Sequence, residues 1–424
     1  MATNPQQEVN ATRRVPLSEV KPGMYVVGLD RSWIDTPFLF HRKLIKDSDD
    51  IELFKKHGIR EVVIDPSRSV NLEPGSSAPV EAKNEPAPSN RPAIEVRSGT
   101  ASEVSFRILV EEFEVARKVH DEALSATQSI FDGAGRGAPI PAQVAKKVVS
   151  DITGCILRSP DASLLLTQMR RFQNDLFAHA VNVCVLSLVV GAAEGLETDN
   201  PVLGFGALLH DVGQTRLPRN LLRKTDLYTD SERRLMEQHP TLGLNVIQRS
   251  ENIPEAARLI VAQHHERVNG TGYPAKLKGD EISIYSQIVA ITDAYDSMLI
   301  GRSHSPLQPI EVLRQIYIDA QGGAFDRSLV EKVIRALGVY PIGSLVELNT
   351  GERGIVIAAN RVDSLKPTLR IVAWPGAAEG EEGAVVSLAE PGPVERKIVR
   401  VLDPGKERID IMAHLQLAAG NLVS

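Results

Sequence analysis

The sequence predicts a mainly α protein: a central all-helical domain, preceded by a small α+β module and followed by a small β-rich module. Three observations carry this. Only 4% of the residues are aromatic, so a core must be built from Ala, Leu, Val and Ile, the palette of closely packed helices. Apolar residues recur at helical spacing from Val104 to about Leu337, and at period two on either side of that stretch. At 424 residues the chain also exceeds one ordinary domain.

The elements follow in order. From Val15 to Pro66, β-type runs alternate with turns: Met24-Tyr25-Val26-Val27 after Pro22-Gly23, then Phe38-Leu39-Phe40, a short helical pattern from Ile51 to His57, and a strand at Glu61-Val62-Val63-Ile64. Residues 1–66 therefore form the amino-terminal module. Residues 67–103 hold Pro, Ser, Ala, Glu and Asn with few large apolar groups, too little to offset the entropy of ordering them, and read as a flexible linker. Residues 104–338 form the helical domain with its leading helix, and residues 339–424 the β-rich module. In the helical domain, Thr229-Asp230-Ser231-Glu232 is a capping box, in which the Thr hydroxyl and the Glu carboxylate each satisfy an orphan backbone donor. Pro254 opens a helix that passes Ile260 and ends near Asn269-Gly270. After Gly338 come strands at Leu345–Leu348, Gly354–Ile357 and Leu369–Val372, with a turn at Asn349-Thr350-Gly351.

Composition excludes several classes. With 54 acidic against 48 basic residues the net charge is −6, which argues against a DNA or RNA partner. Cys155 and Cys184 sit in apolar contexts and read as small buried residues of a reducing compartment, so a cytoplasmic location is expected. Met1 to Val20 has no continuous apolar core of a signal peptide, and the apolar run Val183–Ala193 is too short to span a bilayer. On the leading helix, Val104, Ile108, Phe113 and Val115 are an apolar set that makes a homodimer face one reading and packing on its own domain the other.

Five of the ten histidines, His179, His210, His239, His264 and His265, fall between positions 179 and 265. Two adjoin other donors, as His210-Asp211 and His264-His265-Glu266. The pair His210-Asp211 follows the apolar run Gly204–Leu209, where an uncompensated charge would be costly to bury and a metal ion supplies the compensation. Imidazole with carboxylate and no cysteine suits a catalytic site for Mn, Fe, Ni or Zn rather than a structural zinc site. His41, His57, His120 and His414 read as structural residues.

These residues resemble the HD-GYP domains, a branch of the HD phosphohydrolase superfamily associated with hydrolysis of cyclic di-GMP. The resemblance runs through His179, Leu209-His210-Asp211-Val212-Gly213, His239-Pro240 with Gly243, His264-His265-Glu266-Arg267-Val268-Asn269-Gly270-Thr271-Gly272-Tyr273-Pro274, Asp293-Ala294-Tyr295-Asp296 and Arg302. The amino-terminal module, with Pro22–Val26 and Asp30-Arg31-Ser32-Trp33, resembles an uncharacterised domain that often precedes them. The central domain is thus expected to be of the HD type.

The resemblance implies that His179, His210, Asp211 and Asp293 surround one metal and that His239, His264 and His265 hold a second, with Asp211 bridging. Asp175, one helical turn before His179, would help hold a third. The implied cofactors are two or three divalent ions, Fe or Mn foremost, with Ni, Zn or Mg as further candidates. Ions so held would make a water nucleophilic towards phosphorus, and the implied products are linear pGpG and, in further hydrolysis, GMP. Arg302 would hold a phosphate oxygen, and the Gly272-Tyr273-Pro274 loop would border the substrate and offer a contact surface to diguanylate cyclase (GGDEF) domains. The chain departs from the family at Gln214, usually Lys, at Arg302-Ser303-His304-Ser305 in place of Arg-Pro-Tyr, and at Asn269, often Asp. Uncharged Gln214 and Ser305 weaken phosphate handling. Three readings follow: a cyclic di-GMP phosphodiesterase, a catalytically weak or inactive sensor that docks cyclases, and a phosphohydrolase for another cyclic dinucleotide.

Overall fold

Period-two runs fold as antiparallel strands at both ends of the chain and helical spacing fills the middle, a mainly α architecture. The computed structural model describes residues 13–29, 43–45, 51–52, 54–55, 59–64, 101–169, 176–196, 200–224, 226–301, 306–360, 362–376, 383–392 and 394–415. The chain divides into two units, Met1–Glu95 and Val96–Ser424.

In the first unit, β1 (Arg13–Pro16), β2 (Tyr25–Leu29), β3 (Lys43–Leu44) and β4 (Glu61–Ile64) form a sheet in the order β1-β4-β2-β3. Every pairing is antiparallel, with Val15 opposite Val62 and Val26 opposite Ile64. These four side chains, with Ile45, Phe54 and Ile59, form the unit's own core. Period two puts Val15, Val26, Val62 and Ile64 on one face of the sheet. Ile51, Glu52, Phe54 and Lys55 are helical, as expected. Phe38-Leu39-Phe40 and the linker stretch 67–100 lie outside the described residues.

The second unit opens with α1 (Ala101–Gly135), 35 residues or about 52 Å long. Phe106, Leu109, Phe113, Ala116, His120, Ala123 and Thr127 make its buried stripe at steps of three and four. Val104, Ile108 and Val115 face solvent instead of joining Phe113. Two residues turn a helix by about 200°, so Phe113 and Val115 cannot share a face. The helices that follow are α2 (Ala142–Arg158), α3 (Pro160–Met169), α4 (Leu176–Ala193), α5 (Asn200–Leu209), α6 (Arg219–Leu222), α7 (Asp230–Met236), α8 (His239–Ile247), α9 (Glu255–Gln263), α10 (Ile284–Ile300), α11 (Pro309–Gln321) and α12 (Arg327–Leu337).

The core is centred on α4, which is buried on every side from Ala178 to Gly191 and wrapped by α1, α2, α3, α5, α10 and α12. It is long and apolar enough to cross a membrane, yet it lies 78% inside the protein, as a helix apolar all round must in a packed core. The helix begins seven residues before Val183, where the apolar run was expected to start, because His179 and Asn182 are buried with polar partners. Cys155 and Cys184 are buried and unbridged; burial pushes both thiols up.

The capping box forms at the start of α7, with the Glu232 amide donating to Thr229 Oγ1 and the Thr229 amide to Glu232 Oε2. The helix opened by Pro254 ends at Gln263, short of Asn269-Gly270. There the Glu266 amide turns back to the Gln263 carbonyl, and the Glu266 carboxylate accepts from the amides of Ala275 (2.6 Å) and Leu277 (3.0 Å), which draws the chain into a loop. Strands β5 (Leu345–Leu348), β6 (Arg353–Ala358), β7 (Thr368–Ala373), β8 (Val385–Ser387) and β9 (Ile398–Leu402) form an antiparallel sheet in the order β8-β7-β6-β5-β9. The short α13 (Pro404–Glu407) follows. This sheet packs on α1, with the Arg370 guanidinium 5.5 Å from the centre of the Phe106 ring.

Candidate metal centre

Each histidine of the cluster is placed by a helix end or a helix face. His179 lies one turn into α4, and His210 and Asp211 occupy the turn that ends α5. His239 opens α8, while His264 and His265 follow the last residue of α9; Asp293 lies midway along α10. Packing of α4 on α5 and α10, of α9 on α5, α8 and α10, and of α8 on the turn after Asp211 brings the five segments to one point. The closest approach is made by glycine: a Cβ on Gly213 would overlap the His239 carbonyl and the Gly243 backbone. Only a residue without a side chain lets the His210-Asp211 turn sit against the start of α8.

The tautomers are fixed by neighbours that can only accept. Nδ1 of His210, His239 and His264 donates to the carbonyl three residues earlier: Ala207 (2.7 Å), Met236 (2.8 Å) and Val261 (3.0 Å). The Nε2 lone pairs therefore point inward. His179 Nδ1 donates to Asp296 Oδ2 at 2.7 Å, which likewise turns its Nε2 towards Asp293 Oδ1 at 3.0 Å. Nε2 of His239 and of His264 lie 3.1 Å apart with no proton between them, and Nε2 of His210 has no hydrogen-bond partner among the described residues. Lone pairs facing one another and facing carboxylate oxygens in a buried pocket repel, and a cation removes the repulsion. The donor set fits divalent metal ions.

Two groups of donor atoms, each within 4.8 Å of one another, share one carboxylate: His179, His210 and Asp211 on one side, and Asp211, His239, His264 and His265 on the other. Asp211 Oδ2 faces His179 (3.7 Å) and His210 (3.5 Å), while Oδ1 faces His239 (3.2 Å) and His264 (3.8 Å). Asp293 is two-sided as well, a feature the spacing did not reveal: Oδ1 faces His179 and His210, and Oδ2 lies 3.8 Å from His265 Nδ1. Asp211 and Asp293 both sit well below the carboxylate range. Burial pushes each up, but His210 with His239 and His264 outweighs it at Asp211, and His179 with His265 and His210 at Asp293. Burial first, then the neighbouring imidazoles, lowers His264 to about 4 and His265 well below its ordinary value. Both are thus neutral donors at neutral pH.

The loop after His265 closes one side. Tyr273 stacks on His265 with ring centres 4.6 Å apart and an angle of 27°, and burial and the two aspartates push its hydroxyl up. A Cβ on Gly272 would overlap the His265 carbonyl and the backbone of Glu266 and Arg267, while Pro274 is exposed. Asn269 Oδ1 accepts from the amide and hydroxyl of Thr271, so the loop uses only an acceptor at the position where Asp is common. Gln214 is buried in the turn after Asp211. Asp175, Arg302 and Ser305 lie outside the described residues. Glu266, expected as a further donor beside His264-His265, turns away from the centre to hold the loop. Asp296, which orients His179, went unassigned, although its spacing of three from Asp293 puts both on one helix face.

Fold and donor set define the class: a helical HD domain built around a divalent metal centre. Residues 175–329 match the family described as HD domain, and residues 12–145 match Domain of unknown function (DUF3391). The chain is 29% identical over 364 residues to cyclic di-GMP phosphodiesterase PA4108 of Pseudomonas aeruginosa, covering 85% of this chain and 84% of that protein. It is 34% identical over 132 residues to a cyclic di-GMP phosphodiesterase of Thermotoga maritima, 31% of this chain and 36% of that one. A third relative is 3'3'-cGAMP-specific phosphodiesterase 2 of Vibrio cholerae, 31% identical over 159 residues, 37% of this chain and 30% of that one. The chain therefore spans about a third of the length of the last two. The chain carries an HD domain behind a DUF3391 domain, and its similarity to these phosphodiesterases supports an HD-GYP protein.

Proposed function

We propose that this protein is a metal-dependent phosphodiesterase that hydrolyses cyclic di-GMP to linear pGpG and onward to GMP, as a bacterial, cytoplasmic signalling enzyme. The observation that carries this reading is Asp211, whose two oxygens each face a separate set of inward histidine lone pairs. His179, His210, Asp211 and Asp293 would hold one ion, and Asp211, His239, His264 and His265 the other. Bound divalent ions make water nucleophilic at neutral pH and neutralise phosphate charge. Imidazole and carboxylate donors suit manganese, iron, nickel or zinc, of which manganese and iron are the ions taken here. The protein's own part is to keep His264 and His265 neutral, to keep Asp211 and Asp293 ionised, and to close one flank with Tyr273.

Asp175, four positions before His179 in the sequence, would help hold a third metal, and Arg302 and Gln214 would contact the phosphates. The exposed loop residues around Pro274 suit a contact with a cyclase domain, and Val104, Ile108 and Val115 suit a homodimer face. The test is direct. Manganese- or iron-loaded protein, with its metals counted, is incubated with cyclic di-GMP and with 3'3'-cGAMP, and the products are separated by chromatography. Linear pGpG from cyclic di-GMP is expected; metal-loaded protein that leaves cyclic di-GMP intact overturns the reading.

A further inference from the structure

His120 has no part in the metal centre, yet it is 3% exposed and lies on α1, a helix that carries none of the donors. Its Nε2 lies 3.3 Å from Asn182 Oδ1. Asn182 Nδ2 in turn donates to Asp296 Oδ1 at 3.1 Å, and Asp296 Oδ2 accepts from His179 Nδ1 at 2.7 Å. The polarity of the chain is determined by its ends. Asp296 accepts twice, so Asn182 must present its amide hydrogens to Asp296 and its oxygen to His120, and His120 must donate from Nε2. Asn182 and Asp296 are each 1% exposed, so water does not compete for any of these bonds.

We propose that His120 and Asn182 are positioning residues for the metal centre: through Asp296 they set the tautomer and ring angle of His179, so that the seating of α1 governs how tightly metal is held. The physical argument is one of satisfaction. If His120 is lost, Asn182 Oδ1 becomes a buried acceptor without its donor, and the amide gains by rotating away from Asp296. Asp296 then holds His179 with one restraint fewer. Partners of this kind behind a metal ligand are worth about 10- to 100-fold in metal affinity. The helix that bears His120 also packs on the carboxy-terminal sheet through Phe106 and Arg370. Anything that shifts α1 at that sheet is therefore felt at His179.

This inference rests on His179 being a metal ligand, and the test separates the two. Full-length protein is stripped and titrated with cobalt(II) against a competing chelator, with the visible spectrum recorded. The wild type is expected to bind with the spectrum of an imidazole-carboxylate site; no binding by wild type overturns the metal reading itself. His120→Leu is expected to bind about tenfold more weakly with a shifted spectrum. His120→Gln keeps a donor within reach and should restore most of both. Coupling to Asp296→Asn in a double-mutant cycle should make the two losses less than additive. A His120→Leu protein that is less heat-stable but has wild-type cobalt affinity and spectrum overturns the inference. Should His120→Leu fail to fold, Asn182→Ala removes the middle link and is judged by the same two readouts.

Discussion

The two sides of the metal centre are built differently. His179 and Asp293 stand on helices and His210 in the turn that ends α5, all buried in the core, and the rings of His179 and His210 are fixed through Nδ1 by a carboxylate or carbonyl. His265, on the other side, is half-buried, lies beyond the end of α9 and is held by stacking on a loop tyrosine. One side is a rigid cage and the other opens onto a loop whose shape depends on Glu266 and Asn269. The difference teaches that one donor group lies wholly in the core while the other includes a member, His265, that borders a loop, the two being joined by the two-sided carboxylates of Asp211 and Asp293.

The largest blow to that division is Asp211→Ala, which removes the donor shared by both sides. Both metals should be lost and cyclic di-GMP hydrolysis should fall about 10³-fold or more, read by metal counting and product formation. If one full equivalent of metal survives, the two sides are less joined than Asp211 suggests. Next comes His179→Ala against His265→Ala: the rigid side should lose its metal outright, about 100-fold in affinity, and the loop side about tenfold. Equal losses would erase the contrast. Glu266→Gln weakens the charge-assisted bonds to Ala275 and Leu277 without touching a donor atom, so KM should rise about three- to tenfold at unchanged metal content. Gln214→Lys restores a cation beside the phosphates and should raise kcat/KM by about tenfold or less.

Acid offers a further probe of the donor pocket. In metal-free protein the folded values of His264 and His265 lie below those of the unfolded chain, so as pH falls below about 6.5 the unfolded state takes up protons first. Stability is then lost from about pH 6.5 down towards pH 4, by about 1.4 kcal/mol per pH unit for each proton. The lowered carboxyls of Asp211 and Asp293 act in the same sense at lower pH. The melting temperature should therefore fall steadily from pH 7 to 5 without metal and much less with it. A flat profile in the metal-free protein would contradict the burial of neutral imidazoles.

The sequence displayed most of this. Strands β4 and β5 lie where period-two runs stop at Ile64 and Leu348, and the capping box marks α7 to within a residue. Five histidines stood out by their clustering and His210-Asp211 by following an apolar run, whereas Asp293 entered only through the resemblance to HD-GYP domains. Other parts were hidden for a common reason: they depend on how one helix is shifted along another. That Asp293 faces both sides, that Asp296 orients His179, and that His120 reaches the site through Asn182 are matters of the packing of α10, α4 and α1, which no local spacing encodes. The early end of α9 was hidden too, since it comes from Glu266 bonding nine and eleven residues ahead.

The burial of α4 has a consequence for how the molecule is made. Its 18 residues have a mean hydropathy of 2.1, and one of the helices that cover it, α12, begins at Arg327, 134 positions after Ala193. At 5 to 20 residues per second, a ribosome exposes that apolar surface for roughly 7 to 27 s before the last cover is made. A nascent chain in that interval presents a segment that sorting machinery can read as a membrane anchor and that sticks to its own kind. Holding factors that bind apolar chain during synthesis should matter more for this protein than for one of equal size with amphipathic helices.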